Sequence, residues 1–141
     1  MLEEVRSLKI IYMEVKYNEA TINRPEGDRP IDSPMVIIDL PSFIEQIRSE
    51  KAWEENDRNS ITVFKSDKMR IIVGAMHKNA EMQTEHPDNI LSIQVIKGRL
   101  KLHTTEKIIE IEKDQILALH EHIPYRIEAV KKTTFILTMV Q

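Results

Sequence analysis

The residues of this chain best equipped for chemistry are its five histidines and the polar side chains beside them. His86 stands in the polar stretch MQTEHPDN, with Thr84 and Glu85 just before it, and that stretch feeds a strand-like run ending at Gly98. An imidazole titrates near neutral pH and can hydrogen-bond a ligand or move a proton, and loops carried on a rigid scaffold are where such groups act. Tyr125 follows Pro124 at the head of a later strand, where its phenol can donate to or accept from a ligand, or fill volume as an aromatic. His120 and His122, two apart in HEHIP, share a face if extended; with no third converging ligand they read as an exposed turn. His77 and His103 each end a strand and read as surface residues. The chain has no cysteine, which removes disulfides and thiolate metal sites and leaves N and O ligands for any metal. Neither a nucleophile elbow nor a glycine-rich phosphate loop is found among the three glycines.

These side chains need a scaffold, and the second half of the chain reads as strands. In Ile90 to Lys97, Leu91, Ile93 and Val95 fall on one face and Ser92, Gln94 and Ile96 on the other. Similar runs cover Ile61 to Lys65, Arg70 to Met76, Arg99 to Thr104, Lys107 to Glu112, Gln115 to His120, Tyr125 to Val130 and Thr133 to Val140. Ser66-Asp67-Lys68 is a hairpin-sized link between the first two. Many short strands without interleaved helices imply a closed or sandwich-type antiparallel sheet.

The first sixty residues differ. Leu2 to Val15 has apolar residues at helical spacing, though Ile10 to Val15 also suits a strand. Asn18 to Pro34, with three prolines and little apolar content, reads as a connecting arm. Met35 to Leu40 is a short apolar run between prolines, expected to be a strand at a sheet edge or subunit contact. Ser42 and Glu45 form a capping-box pair, predicting a helix from Phe43 to about Trp53 with Ile44, Ile47 and Trp53 turned to the core.

At 141 residues, 41% hydrophobic and 30% charged, the chain fits one domain: an arm and helix over 1–60 packed on a barrel over 61–141. A net charge of −3 with interspersed signs and no Lys/Arg block argues against a nucleic-acid partner. The acidic N-terminal residues and short apolar runs argue against a signal peptide or membrane span, giving a cytoplasmic expectation.

Over roughly Met69 to Gln141 the sequence resembles the cupin family. Six residues separate Gly98 from Leu91, four separate Leu91 from His86, and Thr84 lies two before His86, the spacing of the first cupin motif. KDQILALHEHIPYRI is similar to the second, with Asp114 and Gln115 at its "GD" and Pro124 and Tyr125 at its "PH". The resemblance implies an all-β, cupin-type jelly-roll β-barrel (a double-stranded β-helix) with one short helix and an N-terminal arm, with Met13 as a candidate original start. It places His86 at the barrel mouth and puts Thr84, His86, Leu91 and Tyr125 at the family's four metal-ligand positions. Only one of these is a usual ligand, so the standard site is expected to be absent and no cofactor is anticipated.

The reading that follows is a small-molecule-binding module whose ligand lies among Leu91, Ile93, Ile127 and Leu137, oriented by His86, Tyr125 and Thr84. The alternative is a divergent metal-dependent enzyme, of oxygenase or isomerase type, holding Fe, Mn, Ni or Zn through His86 with Glu85. A homodimer is expected from the arm and from the edge that Met35 to Leu40 would expose.

Overall fold

A computed structural model describes residues 16–83 and 88–141 of the chain. The Leu2 to Val15 segment, with the proposed start at Met13, lies outside the described residues, as do Thr84, Glu85 and His86.

Period-two alternation becomes two facing antiparallel sheets. Strands β3 (Arg58–Lys65), β4 (Met69–Met76), β6 (Ile90–Lys97), β9 (Ile116–Leu119) and β11 (Thr133–Val140) form the larger, in the order β3-β4-β11-β6-β9. Strands β5 (Glu81–Gln83), β7 (Arg99–His103), β8 (Ile108–Glu112) and β10 (Arg126–Ala129) form the smaller, in the order β5-β10-β7-β8. The all-β jelly-roll expectation holds, and the limits expected for β6 and β11 match those of the structure.

Register fixes which side chains face inward. On β11, Phe135, Leu137 and Met139 stand opposite Val95, Ile93 and Leu91 of β6 and opposite Gly74, Ile72 and Arg70 of β4. All of these therefore line one face, the barrel interior. Across the gap, Ile127 of β10 is paired with Leu102 of β7 and Met82 of β5. Odd-numbered residues of β4 point the other way, and that face is buried too, which is why MRIIVGAM is apolar along nearly its whole length.

The cover on that outer face is helical. Helix α1 (Leu40–Ser49) and the one-turn α2 (Lys51–Glu55) press Ile47 and Trp53 onto Ile61, Val63 and Val73. The expected helix is thus present but broken at Glu50, whose backbone is extended (φ −75°, ψ 150°). The capping-box expectation fails: α1 starts at Leu40, the N-cap is Asp39 without a side-chain cap bond, and Ser42 lies within the first turn. Pro41 in that turn supplies a preset φ and needs no donor, so the helix starts there without the box.

The arm contains a small hairpin where only a connection was expected: β1 (Lys16–Asn18) pairs with β2 (Arg29–Asp32). Its arginines reach β3, the edge strand of the larger sheet. Arg24 Nη2 donates to the Ser60 carbonyl at 2.8 Å and Arg29 Nε to the Thr62 carbonyl at 2.8 Å, occupying edge acceptors that would otherwise be free to pair with another chain. Met35 to Ile38 is not a strand. It is a connection without ladder partners, with Met35 and Ile37 exposed, so the expected sheet edge at this segment is absent.

Two tight links carry backbone constraints. Gly98 joins β6 to β7 at φ 104°, a conformation natural to glycine, and a Cβ there would lie 2.4 Å from Thr133 Oγ1. Asp114 takes φ 69° at the place where the resemblance puts a glycine, and Asp is among the residues that tolerate this region.

Candidate functional site

The interior is not uniformly filled. A cavity of about 250 Å³ lies between β3, β4 and β11 on one side and β5 and β10 on the other. Its walls are Ile72, Ile127, Phe135, Leu137 and Met139, together with Met82. Polar groups reach it from Arg58, Ser60, Arg70, Gln83 and Tyr125. Two guanidiniums line it, and no Asp, Glu or His does among the described residues.

Each polar group is placed by strand register. Arg58 and Ser60 of β3 stand opposite Met76 and Gly74 of β4 and so share the inward face. Arg58 Nη1 donates to the Glu81 carbonyl, tying β3 to β5 across the rim. Glu81 in turn pairs with Arg126 at 2.5 Å. Arg70 stands opposite Met139, at the inward-facing start of β4, and its Nε is buried without a hydrogen-bond partner. Tyr125, half-buried just ahead of β10, borders both the cavity and a shallow rim cleft near His103.

Phe135 owes its position to Gly74. A Cβ on Gly74 would lie 2.4 Å from the Phe135 Cζ, so the tip of the ring takes the space left by the missing side chain, and the ring forms one cavity wall.

Behind the β3 wall lies a charge network. Arg24 grips Glu50 side-on, Nε to Oε2 and Nη2 to Oε1, both at 2.9 Å. Asn59 Nδ2 donates to Glu50 Oε1 at 3.0 Å and to the Ile47 carbonyl at 2.8 Å. Burial works to raise the Glu50 pKa, but hydrogen bonds from Arg24 and Asn59, with the Arg24 charge, outweigh it and hold the carboxyl below its ordinary value. Burial beside Arg24 lowers Arg29 from its ordinary value, partly offset by Glu50.

The structure sorts the sequence-predicted site residues. It brings Tyr125, Ile127 and Leu137 together on the cavity. Leu91 and Ile93 lie instead in the packed interior with Val95 and Leu102, and neither borders the cavity. Thr84, Glu85 and His86 lie outside the described residues. Arg58 and Arg70 were missed by sequence reading; the signal available was a charged residue at each end of a paired run of otherwise inward-facing positions.

Three other histidines are placed plainly. His77 is not a surface residue: it stacks on Trp53 at 3.5 Å between ring centroids, and its Nε2 lies 2.8 Å from the Trp53 carbonyl. A carbonyl only accepts, so Nε2 carries a proton. His103 is also half-buried, 3.0 Å from Glu128 on the outer face of the smaller sheet. The reason in both cases is a partner from a strand or helix distant in sequence. His122 is the exposed turn residue expected of HEHIP, 3.2 Å from Asp88.

The fold as a whole is similar to known structures. The chain aligns with a cupin superfamily protein from Desulfitobacterium hafniense at a TM-score of 0.57 and 13% identity, covering 60% of this chain and 78% of that one. This chain has the cupin fold. A Streptococcus pyogenes protein of unknown function matches this chain over 79% of its length and 90% of the other, with a TM-score of 0.59 and 17% identity. The cupin domain of an XRE family transcriptional regulator from Enterobacter cloacae matches at a TM-score of 0.54 and 15% identity, over 61% of this chain and 98% of that one. No protein-family model and no curated protein matches the sequence.

A metal of the kind the resemblance implies would need several N and O donors converging on one point. Of the four positions carried over from the resemblance, Leu91 is an aliphatic core residue, Tyr125 offers a phenol, and Thr84 and His86 are outside the described residues. No group of three or more His, Asp or Glu converges among the described residues. With two guanidiniums and no carboxylate lining the cavity, the described donors do not fit a divalent ion. No helix among the described residues is long and apolar enough to cross a membrane.

Proposed function

We propose that this cupin is a small-molecule-binding module whose ligand occupies the cavity beside Tyr125. One observation carries the reading: about 250 Å³ of space bounded by Ile72, Ile127, Leu137 and Met139, with a few polar side chains at its border. Binding sites for small molecules have this composition, apolar walls for affinity and sparse polar groups for orientation. The space is modest. A cavity of roughly 150 Å³ holds benzene, so an occupant here has about ten non-hydrogen atoms. The phenol of Tyr125 orients the occupant, and His86, four residues before the inward-facing β6 strand, is a second candidate contact.

The test is thermal stabilisation by a panel of neutral and charged compounds of this size, since a ligand that binds only the folded state raises its melting temperature. Stabilisation is expected in the native chain and lost in Leu137→Phe, which adds volume to the cavity wall. A panel that stabilises neither protein, or both equally, contradicts the reading.

A further inference from the structure

We propose that the cavity selects organic carboxylates and that Arg70 is the residue that reads the charge, an inference that rests on the binding-module reading above. Strand register sets the geometry. Arg70 lies opposite Met139 on β4, on the same inward face as Ile72, so its side chain borders the cavity rather than the helical layer. An arginine at such a place normally spends its donors on a carboxylate or on backbone carbonyls. This one does not: Nε is buried and has no hydrogen-bond partner. No ion pair to Arg70 occurs among the described residues. Arg70 also borders a surface cleft that Asp67 lines.

A buried donor left unmade is costly, and a guanidinium that has lost part of its water needs an anion to compensate. The Nε edge of a guanidinium presents parallel N–H groups that match the two oxygens of a carboxylate. Arg58 adds a second positive charge to the same lining, and no described acidic residue opposes the pair there. Apart from Ser60, Gln83 and Tyr125 the main walls are apolar, and the volume is small, so the occupant is a compact monocarboxylate with a hydrocarbon or aromatic body, its charged end at Arg70 and its body against Ile72, Leu137 and Met139.

Phenylacetate and its neutral isostere phenylacetamide test this, with benzylphosphonate as the alternative anion. Calorimetric titration of the full chain is expected to give phenylacetate at least about tenfold tighter than phenylacetamide, the scale of a charge-assisted hydrogen-bond pair. In Arg70→Met that preference is expected to collapse to near unity through loss of carboxylate affinity, with the amide unchanged. Arg70→Lys keeps the charge without the planar fork and is expected to fall between. Equal affinity of acid and amide for the native chain overturns the proposal without needing any variant to fold, as does a preference that survives in Arg70→Met. Tighter binding of benzylphosphonate than of phenylacetate overturns the carboxylate assignment. If the amide binds and the acid does not, the Arg70 inference fails and the cavity reading stands; if neither they nor any neutral compound of the panel binds, both fail.

Discussion

The two halves of the barrel interior lie between the same pair of sheets, yet one is packed and the other is hollow. On the β6, β7 and β8 side, Leu91, Ile93, Val95, Leu100, Leu102 and Ile111 interdigitate, all of them buried, with Ile93, Val95, Leu100 and Leu102 wholly inaccessible. On the β3, β4 and β5 side, inward positions carry Ser60, Gly74 and Arg70, which are too small or too polar to meet across the gap. The difference teaches that a small barrel becomes a container by substitution at a few inward positions, not by a change of architecture. The packed half holds the sheets together, and the hollow half is where the proposed ligand would lie.

Mutation should expose this contrast. Ile93→Ala removes a fully enclosed side chain from a close-packed region, and a loss of about 3–4 kcal/mol is expected in denaturant unfolding. Met139→Ala, on the cavity wall, should cost about 1–2 kcal/mol, because that side chain already faces open space and forfeits fewer contacts. Equal losses at the two sites would erase the distinction. Gly74→Ala forces the Phe135 ring off its seat, at a cost of about 1–3 kcal/mol. The ring has the cavity to move into, so ligand-induced stabilisation should fall along with stability.

The network behind β3 gives a pH-dependent prediction of similar or smaller size. Because the folded state holds Glu50 below its ordinary pKa, its contribution is present above the unfolded value and is lost as pH falls through the folded value. Glu50→Gln should therefore destabilise the chain by about 1–2 kcal/mol at neutral pH and flatten the decline in stability below about pH 4. An unchanged acid limb in that variant would show the Arg24 grip to be energetically idle. The smallest effect is expected at Arg70: in the ligand-free chain Arg70→Met should be neutral or stabilising by up to about 1 kcal/mol, since it removes a buried donor that nothing satisfies.

Strands such as β6 and β7 were readable from sequence because they carry an alternation with a turn signal between them, at Gly98. The resemblance supplied the jelly-roll closure. What sequence did not disclose falls into two physical kinds. Short elements such as β5 and the β1–β2 hairpin are held by pairing with distant strands and have no periodicity of their own. Met35 to Leu40 erred in the other direction, being apolar enough for a strand but left without a ladder partner between two prolines. The site suffered the same limitation. Alternation correctly put Leu91, Ile93 and Ile127 inside, but nothing local to β6 says which inward residues meet a neighbour and which meet a void. That depends on what stands opposite, and opposite β4 and β11 the facing strand is the three-residue β5 and the end of β10.

The most direct test of the hollow-half account is a methyl-resolved NMR titration of the full chain with phenylacetate. The account predicts shifts concentrated on Ile72, Ile127, Leu137 and Met139, with Ile93, Leu100 and Leu102 unmoved. Perturbations spread evenly over both groups, or confined to surface methyls such as Ile108 and Ile116, would contradict it.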